Sequence, residues 1–256
     1  MNALTRFLSA LALAGVLSLA QAQTPAAPKV DASAAIEKTD TTGRFRSMHD
    51  SFLKRGKSGP IGVLFLGDSI TAGWSGAGRG HIWETYYGKW QPANFGIGGD
   101  QTQHVIWRIE NGELDGISPK VVVLMLGTNN TGTHTADEIA AADAKIVSMI
   151  RAKLPEAKVL VLAVFPRGPR KDKDGKIPET TIADAAKRQS IIDGVNAQLA
   201  KLADGKKVHF LDINAAFLGQ DGKIPFSIMP DQLHPNAAGY QLWADAMQPT
   251  LTKLMQ

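Results

Sequence analysis

A serine stands in Gly67-Asp68-Ser69-Ile70-Thr71, directly after an apolar run at 61–66. A serine that follows a buried strand in a glycine-containing turn can present its hydroxyl at the edge of a sheet. There it is a nucleophile if a base lies within hydrogen-bond reach. The same placement also suits a helix cap. Near the other end of the chain, Asp231-Gln232-Leu233-His234 sets a carboxylate three residues before an imidazole. In a loop the two can touch, so that Asp231 orients His234 and His234 moves a proton to and from a serine. The competing reading makes Asp231 a helix cap with Pro235 in the first turn. Two further segments carry donors. Asn94-Phe95-Gly96-Ile97-Gly98-Gly99-Asp100 has three glycines in four positions, which lets backbone N–H groups turn toward a ligand. It lacks full Gly-x-Gly-x-x-Gly spacing, so a nucleotide loop is disfavoured against a tight strand–helix turn. Gly127-Thr128-Asn129-Asn130 offers a side-chain amide to a developing oxyanion, or forms an Asx-type turn. Each feature alone is weak. Together they fill the roles of nucleophile, base, orienter and oxyanion donor for acyl transfer through a serine. The order Ser, Asp, His is that of α/β-hydrolases, but no Gly-x-Ser-x-Gly is present, so the scaffold differs.

These residues need elements to hold them. Short apolar, β-branched runs recur at 61–66, 121–126, 158–164 and 208–211, with a weaker one at 93–95. Helical spacing fills the longer intervals: 136–153 through Ile139, Ala142, Ile146, Met149 and Ile150, and 181–202 through Ile182, Ala185, Ile192, Val195 and Leu199. A further helix is expected over 233–254, with Pro235 in its first turn. Alternating strands and helices predict an α/β fold with a parallel sheet covered on both faces, because strands buried on two sides show no polar alternation. Ligands of such sheets bind outside the carboxyl ends of the strands, where Ser69, Gly99 and Asn129 fall.

The chain has 256 residues, 44% of them hydrophobic and 20% charged, which fits one folded domain and excludes a disordered or fibrous protein. Its net charge of +4 gives no dense basic face for nucleic acid. It has no cysteine, which excludes disulfides, thiolate metal sites and a cysteine nucleophile. Arg6, an apolar stretch at 7–20 and Ala20-Gln21-Ala22 read as a signal peptide, residues 1–22, cut after Ala22. The expectation is a secreted or periplasmic protein with no stable membrane insertion after cleavage. Residues 23–44, rich in Ala, Pro, Thr and Lys, read as a flexible entry, and 45–256 as the catalytic domain. Arg167, Arg170, Lys171, Lys173 and Lys176 crowd one segment that reads as a solvated loop or as a rim for anionic substrates. His81, His104 and His209 have no metal-ligand spacing and read as structural. Trp83, Trp107 and Trp243 read as core, and Trp74, five residues after Ser69, as a candidate substrate contact.

The four blocks FLGDSITAGW, NFGIGGDQT, LGTNN and DQLHP, in that order, resemble the SGNH (GDSL-type) hydrolase superfamily. The stretch 94–130 and FPRG at 165–168 are most similar to the branch containing the catalytic subunits of platelet-activating factor acetylhydrolase Ib. The resemblance runs from about Ile61 to the C-terminus. It implies a flavodoxin-like three-layer α/β/α sandwich with about five parallel strands. It implies Ser69 as nucleophile, His234 as base and Asp231 as its orienter. The N–H groups of Ser69 and Gly99 and the Asn129 amide would form the oxyanion hole. Asp68, Asn130 and Arg167 join Trp74 as candidate substrate contacts. Many superfamily members carry Asp where this chain has Asn130; the acetylhydrolase branch also has Asn. The reaction implied is hydrolysis of short-chain, acetyl esters of small molecules or glycans through an acyl-enzyme, needing no metal or organic cofactor. An acyltransferase acting on carbohydrate hydroxyls and a lipase-type activity on longer chains remain open. The animal relatives dimerise, which raises a homodimer here.

Overall fold

The structure is a computed structural model that describes residues 30–256; the expected signal peptide lies outside them. Five strands form one all-parallel sheet in the order β2-β1-β3-β4-β5. They are β1 (Val63–Gly67), β2 (Pro92–Gly96), β3 (Val121–Met125), β4 (Lys158–Leu162) and β5 (Val208–Leu211). The helices are α1 (Arg44–Lys57), α2 (Ser69–Ala72), α3 (Gly80–Tyr87), α4 (Thr102–Glu110), α5 (Ala136–Lys153), α6 (Glu179–Leu199) and α7 (Ala237–Leu254). The expected fold class, α/β with a flavodoxin-like three-layer sandwich, is the one observed.

Successive side chains of a strand point to opposite faces, and both faces here are apolar. Leu64, Leu66, Val122, Leu124, Val159 and Val161 pack with Ile106 of α4, Ile146 of α5 and Ile192 of α6. Val63, Phe65, Val121, Val123, Leu160 and Leu162 pack with Tyr87 of α3 and with Trp243, Met247 and Leu251 of α7. Trp74 belongs to this second cluster. It is 1% exposed, with its ring 4.7 Å from Tyr240 and 5.0 Å from Trp243. This corrects the expectation that Trp74 touches substrate. An indole this large stabilises the fold more by burial, roughly 2–3 kcal/mol, than it would at the rim.

The last helix begins later than its apolar spacing predicts. Asn236 caps it by accepting from Gly239 N–H at 3.1 Å, which leaves His234 and Pro235 in the preceding loop. Residues 30–43, the described part of the segment 23–44 expected as a flexible entry, pack as a strap against α4 and α5. Thr102 Oγ1 donates to Ala32 O at 2.8 Å, Lys145 Nζ to Ser33 O at 2.8 Å, and Ile36 N–H to Gln103 O at 3.1 Å. Asp40 ends the strap by accepting from Phe45 N–H at 2.7 Å and Arg44 N–H at 3.0 Å, bonds that hold its carboxyl down at about 2 and start α1.

Candidate active site

The order β2-β1-β3-β4-β5 puts the topological switch point between β1 and β3, where a crevice opens beyond the strand ends. The loops after β1, β2 and β3 all reach it. Gly67 is paired with Gly96 on one side and Met125 on the other. A side chain at Gly67 would run into Thr71 Oγ1 and the Met125 carbonyl, so glycine is required for the turn that follows. Asp68 then caps α2 by accepting from Ile70 N–H at 2.9 Å. Ser69 is the first residue of that short helix, and Tyr240 of α7 pins the turn by donating its hydroxyl to Ile70 O.

His234 Nε2 lies 2.9 Å from Ser69 Oγ. On the far side of the ring, Nδ1 lies 2.6 Å from Asp231 Oδ2. The other carboxylate oxygen accepts from His234 N–H at 2.7 Å and Leu233 N–H at 3.1 Å, so one loop fixes both members of the pair. Burial raises the Asp231 carboxyl, but the His234 backbone and ring bonds outweigh it and hold it below its ordinary value. Asp231 is therefore ionised at neutral pH and accepts a hydrogen bond from Nδ1–H, which stays on the ring. Nε2 then carries the lone pair toward Ser69, the tautomer a general base needs. Gln232 sits between them with φ +60°, a left-handed conformation uncommon for a side-chain-bearing residue. Its amide donates to Ile224 O and Met229 O, both at 3.1 Å, and its carbonyl accepts from Gly168 N–H at 3.1 Å.

The glycine loop after β2 turns at Gly99, where φ is +73°. It runs over the serine: a side chain at Gly98 would lie 3.9 Å from Ser69 Cβ. Asn129 Nδ2 donates to Asp100 O at 2.9 Å and lies 3.4 Å from Asp68 Oδ2. That second contact is long for a hydrogen bond, which leaves one amide hydrogen available to an oxyanion. Gln101 Nε2 in turn donates to Asn129 O at 2.9 Å. Ser69, Gly99 and Asn129 thus come together at one edge.

Two more expected substrate contacts face inward. Asn130 is wholly buried: its Oδ1 accepts from Thr102 N–H at 3.1 Å and its Nδ2 donates to Thr102 Oγ1 at 3.0 Å and to Gln103 Oε1 at 3.2 Å. Its amide staples the loop after β3 to α4. Asp68 is 1% exposed and engaged as a helix cap. Burial, the largest influence, pushes its carboxyl up to about 7. Arg167 remains half-exposed, near enough to Asp231 to feel its charge, with its Nη1 3.3 Å from both Thr128 O and Thr128 Oγ1.

Beneath the site lies a charge network that the sequence does not announce. Arg108 is fully buried. It bonds Phe95 O at 2.9 Å and Gly67 O at 3.2 Å, which ties the ends of β2 and β1, and it pairs with Glu113 at 2.8 Å and Asp100 at 3.1 Å. Burial raises Asp100 to about 6 against the pull of Arg108 and Lys38. Lys38 comes from the strap, with Nζ 2.5 Å from Gly98 O and 3.4 Å from Asp100 Oδ1. His104, read as structural, accepts from Gln101 N–H at 3.0 Å through Nδ1, and burial with Lys38 and Arg108 nearby holds it down at about 4. Among the described residues, no group of three or more His, Asp or Glu is placed to hold a metal. No described helix is long and apolar enough to cross a membrane.

A model of the GDSL-like lipase/acylhydrolase family matches residues 65–242. The chain belongs to that family. It is a carboxylic ester hydrolase. It is 34% identical over 224 residues to platelet-activating factor acetylhydrolase IB subunit alpha1 of Homo sapiens, covering 86% of this chain and 88% of that one. The alpha2 subunit of Rattus norvegicus is also 34% identical, over 226 residues, with 87% and 90% covered. Among solved structures, the fold is similar to a member of the lipolytic protein G-D-S-L family from Veillonella parvula (TM-score 0.58, 22% identity, 75% of this chain and 98% of that one). It is also similar to Est24, a carbohydrate acetylesterase from Sinorhizobium meliloti (TM-score 0.56, 21% identity, 76% and 99%).

Proposed function

We propose that the protein is a secreted serine esterase that hydrolyses short-chain, acetyl esters through an acyl-enzyme. The observation that carries this is the continuous relay from Ser69 Oγ to His234 Nε2 at 2.9 Å and from His234 Nδ1 to Asp231 at 2.6 Å. Ser69 Oγ attacks the ester carbonyl while His234 takes its proton. The resulting oxyanion is held by the N–H groups of Ser69 and Gly99 and by the Asn129 amide. Collapse breaks the bond to the alcohol, which leaves with the proton from His234. Water, deprotonated by His234, then attacks the acyl-serine and releases the acid and Ser69. The alpha subunits named above are acetylhydrolases, which favours a small acyl group. The leader at 1–22 supports export.

Hydrolysis of p-nitrophenyl esters from acetate to palmitate, beside Ser69→Ala, tests the reading. The expected result is activity concentrated on acetate and butyrate and lost in the variant. A palmitate optimum would overturn the acetyl assignment, and full activity in Ser69→Ala would overturn the relay. N-terminal sequencing of the exported protein should begin at Gln23; an uncut Met1 in the cell fraction would overturn export.

A further inference from the structure

Arg167 and Arg170 leave the segment after β4, and Arg188 rises from α6 to meet them. With Thr181 and Asp184 they line an open cleft of about 300 Å³. Arg167 is held from the side by Thr128 O and Oγ1. Arg188 donates from Nη1 to Thr131 Oγ1 at 3.2 Å and from Nε to Asp184 Oδ2 at 2.7 Å. Both guanidiniums are thus anchored on the loop that carries Asn129. The backbone at Arg170 is fixed as well, because its carbonyl accepts from Thr181 Oγ1 at 3.0 Å. Asp184 is the one carboxylate in the lining, so three positive charges face one negative. The crowding registers on Arg167, which burial and then its neighbours Arg188 and Arg170 push down to about 10. Side chains of like charge repel, and a guanidinium fork matches the paired oxygens of a carboxylate or phosphate.

The cleft also abuts the triad. Gly168, between the two loop arginines, donates its N–H to Gln232 O inside the Asp231–His234 loop. The neighbouring lysines are engaged differently: Lys171 Nζ lies 4.1 Å over the Phe226 ring, and Asp172 closes the rest of the loop on itself by accepting from Asp174 and Lys176 N–H. The basic character of the segment is therefore divided between a loop closed on itself and an arginine cluster at the cleft, completed from α6.

We propose that Arg167, Arg170 and Arg188 form an anion subsite that takes a carboxylate or phosphate carried by the ester substrate. This rests on the esterase reading of the adjoining triad. The test compares kcat/KM for 4-acetoxybenzoate, for 4-acetoxyphenyl phosphate and for the neutral methyl 4-acetoxybenzoate. Arg170→Gln should lower the anionic-to-neutral ratio about tenfold, the size of one lost charge-assisted hydrogen bond, with the change carried by KM. Lys173→Gln, on the closed loop, should leave the ratio as it is. The two anionic esters decide between carboxylate and phosphate. A ratio unmoved by Arg170→Gln, or moved equally by Lys173→Gln, overturns the subsite. Calorimetric binding of 4-hydroxybenzoate and inorganic phosphate separates this from the esterase reading. Binding that Arg170→Gln weakens, with no ester hydrolysed, keeps the subsite and overturns the esterase. Hydrolysis of the neutral ester with neither anion bound does the reverse.

Discussion

Asn129 and Asn130 are chemically identical neighbours with opposite orientations. The turn after β3 aims one amide at the crevice and buries the other against Thr102 and Gln103. Nothing in a single sequence distinguishes them, because a one-residue rotation in a tight turn decides the matter. The consequence is a sharp difference between two alanine variants. Asn129→Ala should lower kcat by about 10²–10³ with KM changed far less, as for the loss of one oxyanion donor. Steady-state kinetics on p-nitrophenyl acetate check it; equal losses in kcat and substrate affinity would remove Asn129 from the hole. Asn130→Ala should instead lower thermal stability, since it leaves the buried Thr102 N–H without its acceptor and removes one bond to Gln103 Oε1. A loss of about 1–3 kcal/mol is expected by denaturant unfolding. Trp74 carries a similar lesson. Five residues from Ser69 in sequence, it turns into the core, because the helix after the serine points its apolar side at α7.

Elements were legible where burial is two-sided. The runs at 121–126 and 158–164 read as strands because a parallel sheet between helix layers leaves no polar positions. The helix α5 has the bounds its apolar spacing gives, 136–153, and the structure adds a reciprocal cap of Thr135 and Glu138 at its start. What hid were elements whose polar residues look inward. In α4, Thr102, Gln103 and Arg108 are buried by bonds to other loops, so its pattern reads as surface. The start of α7 was displaced because Asn236, not Asp231, caps it, and Asp231 bonds His234 instead. Ser69, Asp231 and His234 were legible as residue types that could touch, and they do. Their support was not: Gln232, Arg108 and Lys38 act through folds of the chain that bring together residues far apart in sequence. Gly168 shows how strict that support is. A side chain there would collide with the Gln232 amide. Gly168→Ala should therefore shift the Asp231–His234 loop and lower kcat at least about tenfold, while far-UV circular dichroism stays native; unchanged turnover would show the loop to be self-sufficient.

Two of the molecule's buried carboxyls, Asp143 and Asp68, lie close enough for the charge of one to act on the other. Asp143 of α5 is 1% exposed, neither oxygen has a hydrogen-bond partner, and burial followed by the Asp68 charge raises it well above its ordinary value. Asp68 is raised to about 7. A carboxyl whose folded pKa exceeds its unfolded one favours the fold fully below the unfolded value of 3.8, and that contribution is lost as pH rises through the folded value. Stability should therefore decline from about pH 4 through pH 7 and beyond. Asp143→Asn should be close to neutral at pH 4 and stabilising by about 2 kcal/mol at pH 8, read by urea unfolding at both values. An equal effect at both would show that Asp143 is not the source.

The strap at 30–43 gives the enzyme a mechanical polarity. Through Lys38 it grips the carbonyl of Gly98, so the segment ahead of α1 is tied to the loop over Ser69. Tension applied from the N-terminal side, by a surface or a fused partner, is borne by the bonds at Ala32, Ser33 and Ile36 and then by that grip. The same load applied at Gln256 reaches the oxyanion loop only through the body of α7 and the sheet. An enzyme immobilised by its tail should keep its turnover under load, whereas one held by its head should lose it before it unfolds.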